Sequence, residues 1–272
     1  MKENEKVFIE KSCPDHGYFK TLILPKFART PLDAWASAKT AAVSIDEWQL
    51  EKLRETIEWA RNNSPFYRRR LNGIVIDNLS DISRLPFTDS GDITREGARL
   101  LCVPQNEISR VVTLFTSGSA SEPKRVFFTS EDIELTADFF AGGLPTVAQP
   151  GTTMLVMLPC LRPDGVGDLI CRGLRRFDAT PVPYGLMENL EHAARTLIET
   201  GAESIVGMPA QLLALIRYAR AKGMPLKLTS ALLSADYIPE TAVNELNSVG
   251  IETYKHYGMT EMGLGGAIDC DA

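Results

Sequence analysis

From about residue 150 onward, short apolar runs alternate with stretches of helical periodicity, and this alternation limits the folds open to the chain. Thr152–Leu158 is an apolar run too short for a helix, so it reads as a buried strand. Thr180–Pro183 is a further short strand, and a helix is expected from about Glu188 to Glu199. Ser204–Pro209 reads as a strand, and Ala210–Ala221 as a helix closed by Gly223. Leu228–Asp236 is a strand ending in small residues. Pro239 and Glu240 open a helix, and Ile251–Tyr254 is the last strand of the series. Strands that alternate with helices favour an α/β sheet with at least partly parallel strands, layered with flanking helices. Ligands in such sheets bind at the carboxyl ends of strands, which is where Ser234-Ala235-Asp236 and Tyr257-Gly258-Met259-Thr260-Glu261 fall.

The stretch richest in chemistry lies earlier. Val111–Phe115 and Arg125–Thr129 are β-branched or aromatic runs, and Thr116-Ser117-Gly118-Ser119-Ala120-Ser121-Glu122-Pro123-Lys124 joins them. The pattern predicts strand, small-residue loop, strand. Hydroxyls, a glycine and one lysine suit an anion, because small residues let backbone N–H groups approach it and lysine adds a point charge. Gly118 and Lys124 have the spacing of a Walker loop, but Pro123 and Arg125 replace its second glycine and its magnesium-binding hydroxyl, so that reading fails. Gly165-Val166-Gly167-Asp168-Leu169-Ile170 is an incomplete dinucleotide fingerprint and is expected to be a strand-to-helix turn.

The 116–124 loop resembles the phosphate loop of the adenylate-forming superfamily, departing from it at Ala120 and Ser121. His256-Tyr257-Gly258-Met259-Thr260-Glu261 resembles that superfamily's Tyr-Gly-x-Thr-Glu element, in the expected order along the chain. Asn63-Ser64-Pro65-Phe66-Tyr67-Arg68 and Leu85-Pro86-Phe87-Thr88 are similar to elements of the phenylacetate–CoA ligase branch. The resemblance covers about residue 44 to the end. It implies an enzyme that joins a carboxylic acid, with aromatic acids favoured, to AMP from ATP and passes the acyl group to coenzyme A. It further implies that Thr116, Ser117, Gly118, Ser119 and Lys124 hold the β- and γ-phosphates, and that Ala235 and Asp236 border the adenine. Tyr257 with Gly258 would pack on that ring, Thr260 would touch the α-phosphate, and Glu261 would hold Mg2+. Phe139, Phe140 and 207–209 are candidates for the acyl pocket, with core packing an equal alternative, and His256 is open between sensing the substrate carboxylate and a structural role. The superfamily continues with a ribose-binding Asp, a hinge and a C-terminal domain carrying a catalytic Lys. None of these falls within the 272 residues, so residues 31–272 are expected to be an AMP-binding N-terminal domain portion. The alternative is a non-catalytic nucleotide- or acyl-binding module or scaffold working with a separate polypeptide.

Composition narrows the alternatives. Hydrophobic residues make up 44% and charged residues 24%, as in ordinary globular proteins. A formal net charge of −6 gives no electrostatic support for a nucleic-acid role. No apolar run is long enough for a membrane span, and the charged first residues lack a signal-peptide core. Five scattered cysteines fit reduced thiols, hence a cytoplasmic expectation. Residues 1–30 read as a short extension. Its Cys13-Pro14-Asp15-His16-Gly17 resembles the knuckle at the start of some radical-SAM proteins, but two donors fall short of a structural zinc's four, so a small β-hairpin is expected instead. A capping box of Ser44 and Glu47 opens a helix that should stop near Asn62–Pro65, with Trp48 and Trp59 in the core. A well-capped helix from Ser130 should end at Gly142-Gly143, near Phe140.

Overall fold

The computed structural model describes residues 7–13, 17–23, 44–114 and 123–269. The chain divides into two compact units, one of Met1–Thr30 with Ile133–Ala272 and one of Pro31–Asp132. At the N-terminus, β1 (Val7–Cys13) and β2 (Gly17–Ile23) run antiparallel with Cys13 opposite Gly17. This is the hairpin expected from the sequence.

In the 31–132 unit, α1 (Ile45–Asn63) begins at the predicted box: Ser44 and Glu47 bond reciprocally to each other's backbone N–H. It stops at Ser64, whose fully buried side chain then caps α2 (Pro65–Arg70), with Pro65 at the first helical position. Ser64 Oγ also donates to the Arg99 carbonyl at 2.9 Å. Ile57, Leu71 and Ile76 form the small core here, flanked by Leu50 and Leu53. Trp59 is not part of it. Its side chain is 51% exposed, because Leu53, Ile57 and Ala60 already fill the inward stripe of α1. A further helix, α3 (Ser90–Glu96), carries no long apolar periodicity. It is set by local polar bonds, Asp89 and Asp92 capping each other's N–H. The unit ends in an antiparallel pair, β3 (Ile108–Leu114) and β4 (Lys124–Thr129), with Leu114 opposite Lys124. The two strands stand where the sequence places them, and residues 115–122, expected as the loop between them, lie outside the described part.

The other unit is built on a sheet in the order β10-β9-β8-β7-β5-β6. Helix α4 (Ser130–Gly143) precedes β5 (Thr153–Met157). There follow α5 (Val166–Arg176), β6 (Thr180–Pro183), α6 (Leu190–Glu199) and β7 (Ser204–Gly207). Then come α7 (Pro209–Ala221), β8 (Ser230–Leu233), α8 (Glu240–Ser248), β9 (Glu252–Tyr257) and β10 (Ala267–Ile268). The strands from β6 to β9 are parallel, and only β10 returns antiparallel to β9. Parallel strands covered on both faces need apolar side chains in succession. Accordingly Met154, Leu155, Val156, Ile205, Val206, Leu232 and Leu233 have no exposed surface. Each such aliphatic side chain contributes about 1.5–3 kcal/mol by leaving water.

Helix α4 runs slightly past Phe140 and ends at Gly143, at the glycine pair where the sequence places its stop. A Cβ on Gly143 would stand 2.7 Å from Ile268 Cδ1, so the residue also permits close packing. On α5, a Cβ at Gly173 would lie 2.7 Å from Phe140 Cβ and 3.0 Å from the Ala141 nitrogen. The α4–α5 contact is fastened at its rim by Arg172 and Arg176. Both pair with Glu134, Arg176 also pairs with Asp138, and Arg172 Nη1 meets Asp164 Oδ1 at 2.9 Å. Gly173→Ala should therefore destabilise the fold by about 1–3 kcal/mol through overpacking. The helix-propensity gain of roughly 1 kcal/mol only partly offsets this. Urea unfolding of the two proteins measures the difference.

Candidate functional site

The pairing of β8 with β9 sets the geometry of the candidate site. Leu233 lies opposite Lys255, so the next residues along each strand, Ser234 and His256, meet at the carboxyl edge of the sheet. Ser234 Oγ and His256 Nδ1 are 2.7 Å apart, and both side chains are buried. Beyond Ser234 the chain turns at Ala235, which adopts a left-handed conformation with φ 67°. For a residue with a Cβ this costs roughly 1–2 kcal/mol. The turn leaves Asp236 at the surface, its Oδ1 accepting from the Tyr237 N–H at 2.7 Å.

Beyond His256, Tyr257 still belongs to β9 and presents a ring that is 62% exposed. The strand thus reaches further than Tyr254, because the return of β10 pairs Tyr257 with Ala267 and His256 with Ile268. Between the two strands lies a tight loop. A single 3-10 turn, Thr260–Met262, is followed by Gly263 and Leu264, both at positive φ. The Leu264 N–H bonds the Met259 carbonyl at 3.0 Å, and the Gly266 N–H bonds the Tyr257 carbonyl at 3.0 Å. Gly258 is required here, since a Cβ would stand 2.2 Å from the Leu264 carbonyl oxygen. Helix α4 holds the loop from beneath: Thr136 Oγ1, buried, donates to the Gly263 carbonyl at 2.7 Å. Thr260 and Glu261 are half-buried in this loop.

His256 sits between aromatic rings, with centroids 5.4 Å from Phe140 and 6.0 Å from Phe139. Its Nε2 is buried without a hydrogen-bond partner. Burial pushes its pKa below the ordinary histidine value, and the nearby Leu264 carbonyl only partly opposes this. Phe140 is fully buried. Gly207 is likewise closed in, the place of its missing Cβ taken by Leu212 Cδ2 at 3.0 Å and Met157 Cβ at 3.1 Å. Both residues serve core packing.

The structure thus brings Ala235, Asp236, Tyr257, Gly258, Thr260 and Glu261 to one sheet edge. Lys124 is in the other unit, as the first residue of β4. Thr116, Ser117, Gly118 and Ser119 lie outside the described residues. The Ser234–His256 bond and the Thr136 support went unnoticed in the sequence, and no spacing rule connects residues so far apart. Among the described residues no group of three or more His, Cys, Asp or Glu could hold a metal ion. Mg2+ commonly uses one or two carboxylates, its remaining positions filled by water and substrate phosphates, so a single Glu261 is a compatible donor.

Comparison with known proteins bears on the fold. A phenylacetate–coenzyme A ligase of Pseudomonas putida is 27% identical over 246 residues, covering 85% of this chain and 55% of its own. One from Thermus thermophilus is 32% identical over 110 residues, 38% of this chain and 24% of the relative. The chain therefore spans about half, or less, of the curated relatives it matches. Among solved structures, an open conformation of 2-hydroxyisobutyryl-CoA ligase in complex with 2-HIB-AMP and CoA superposes with a TM-score of 0.71 at 20% identity. It covers 83% of this chain and 52% of that one. The fold is that of the adenylate-forming CoA ligases. Within that superfamily, the sequence relatives lie on the phenylacetate–CoA ligase-like branch.

Residues 1–25 match a different family, described as the HMPTM N-terminal zinc ribbon domain. Cys13 and His16 are the cysteine and histidine donors within that stretch, two where a structural zinc takes four. Cys13 closes β1, and His16 lies outside the described residues. Those two donors do not by themselves make a zinc site.

The buried neutral His256 yields a pH prediction. Its folded pKa is depressed, so its contribution is full above the unfolded value of 6.5 and is lost as pH falls below it. Stability measured by urea unfolding between about pH 7.5 and 5.5 should decline for the wild type. The decline should be shallower for His256→Gln.

Proposed function

We propose that this chain carries the nucleotide-handling part of an AMP-forming carboxylate–CoA ligase. The observation behind this reading is the register of β8 and β9, which sets Ala235-Asp236 beside Tyr257–Glu261 at the sheet edge. In this reading Asp236 and the Ala235 backbone border the adenine. The exposed Tyr257 ring offers a stacking face, and Gly258, in this reading part of the same contact, lets the backbone pass close to Leu264. Thr260 bonds the α-phosphate, and Glu261 is the protein's ligand to Mg2+. Thr116, Ser117, Gly118, Ser119 and Lys124 hold the β- and γ-phosphates. Mg2+ held at Glu261 would supply positive charge against the phosphates, which a carboxylate oxygen must approach at the α-phosphorus while pyrophosphate leaves in line. Coenzyme A then takes the acyl group.

Residues 31–272 form the AMP-binding portion in this reading, and residues 1–30 are an extension to it. The names of the sequence relatives favour an aromatic acid. The structural relative's hydroxyisobutyryl substrate makes short hydroxy acids the first alternative. The scattered cysteines favour a cytoplasmic protein, and among the described residues no helix is long and apolar enough to cross a membrane. Ala120 and Ser121, which depart from the family's loop, allow a scaffold that has lost the nucleotide site; a nucleotide- or acyl-binding module acting with a separate polypeptide is the other alternative.

The deciding experiment follows MgATP binding by calorimetry and acid-dependent pyrophosphate release over a panel of aryl and short hydroxy acids. Pyrophosphate release supports the ligase, and binding without release supports the module. No binding rejects both and supports the scaffold. Lys124→Ala should weaken MgATP binding by about 1.5–3 kcal/mol, roughly ten- to hundredfold in Kd. Glu261→Gln should flatten the magnesium dependence of ATP binding while leaving thermal unfolding unchanged. Superimposed magnesium titrations would mean that Glu261 has no part in holding the ion.

A further inference from the structure

Away from the β8–β9 edge, a pair of thiols sits where β5 leads into α5. Cys160 follows β5 by three residues, in the loop that carries the chain to Gly165 and helix α5. Cys171 lies on the buried face of that helix. Two independent features bring them together. A Cβ on Gly167 would stand 2.5 Å from Cys160 Sγ, so that sulfur rests directly on the helix surface at Gly167. Cys171 is one turn further along the same face, where residues four apart are neighbours. The two thiols are also close enough for each to shift the other's titration. Both cysteines are free thiols.

We propose that Cys160 and Cys171 form a dithiol that hydrogen peroxide oxidises to a disulfide, tying the β5–α5 loop to helix α5.

The two sulfurs are not equivalent. Cys160 is only partly buried, so a small oxidant reaches it, whereas Cys171 is 3% exposed. The neighbouring Cys171 thiol lowers the Cys160 pKa to about 7, helped by the backbone N–H groups of Gly185 and Tyr184 and opposed by burial and Asp168. Cys171 is pushed the other way, first by Cys160 and then by burial, with Arg175 a minor opposing charge. Cys160, the accessible sulfur, is the attacking thiolate and the buried Cys171 the resolving thiol.

The Cys160 thiolate attacks one peroxide oxygen and the O–O bond breaks. The departing hydroxide takes a proton to become water, leaving Cys160 as a sulfenic acid. The Cys171 sulfur then gives up its proton and attacks the Cys160 sulfur. The S–OH bond breaks, and the second hydroxide leaves as water. Two thiols have lost two protons and two electrons, and one peroxide has become two waters.

The test uses the full chain, first reduced, then treated with hydrogen peroxide, alkylated and cleaved before aspartate. Cleavage before Asp164 and Asp168 separates the two cysteines into different fragments. The expected result is that these fragments stay joined, two hydrogens lighter than their sum, until a reductant releases them. Cys102 should remain alkylated. The rate of joining should rise as pH is raised through about 7. In Cys171→Ala, Cys160 should accumulate as a sulfenic acid trapped by dimedone, and in Cys160→Ala, Cys171 should stay reduced. Four outcomes would overturn the proposal. They are an unreactive Cys160, its direct passage to sulfinic acid in the wild type, its linkage to another cysteine, or oxidation of Cys171 when Cys160 is absent.

Discussion

The parallel register between β8 and β9 is the constraint on which the candidate site depends. Hydrogen bonding that places Leu233 against Lys255 leaves Ser234 and His256 no choice but to meet one step later. Their bond then ties together two chain segments that leave the sheet in different directions, one into the Ala235 turn and the other into the 258–266 loop. A parallel pair slipped by one residue would turn the side chains of β9 to the opposite face. His256 would lose Ser234, and Tyr257 would face the interior. Because β8 is buried on both sides, such a slip would also expose or misplace Leu232 and Leu233, so the core itself enforces the site's register.

The loop between Tyr257 and Ala267 obtains its shape from a second source, namely what lies beneath it. The Gly263 carbonyl accepts from Thr136, and the Gly258 backbone passes so close to Leu264 that no side chain fits between them. The neutral His256 is enclosed by Phe139 and Phe140 on the same helix that supplies Thr136. One face of α4 therefore supports both the imidazole and the loop. This gives the half-buried Thr260 and Glu261 a preorganised backbone rather than a mobile one.

How far the fold could be read from residues follows from the kind of force that shaped each part. The buried strands β5, β7 and β8 are continuous apolar runs, and burial alone identifies them. Helix α1 was legible from its cap and stripe, yet Trp59 was misplaced, because an aromatic residue suggests a core without saying which face it is on. Helix α3 was overlooked, because reciprocal Asp89–Asp92 caps define it rather than periodicity. Gly142 and Gly143 read as a helix end and are one, but the approach of Ile268 to Gly143 joins residues far apart in the chain and leaves no local signal. The same limit applies to the site. Tyr257, Thr260 and Glu261 were visible as a local motif, whereas Ser234 against His256 and Thr136 against Gly263 exist only through tertiary pairing.

The ionic clasp on the rim of α4 and α5 makes the loop's support sensitive to its medium. Arg172 and Arg176 share the carboxylates of Glu134, Asp138 and Asp164, and Glu134 is half in water. Dissolved ions screen such charges over about 8 Å at physiological ionic strength and about 3 Å at molar salt. Beneath the clasp the helices approach closely at Gly173. Electrolyte concentration thus becomes a means of loosening α4 without altering a residue, and whatever α4 carries would loosen with it.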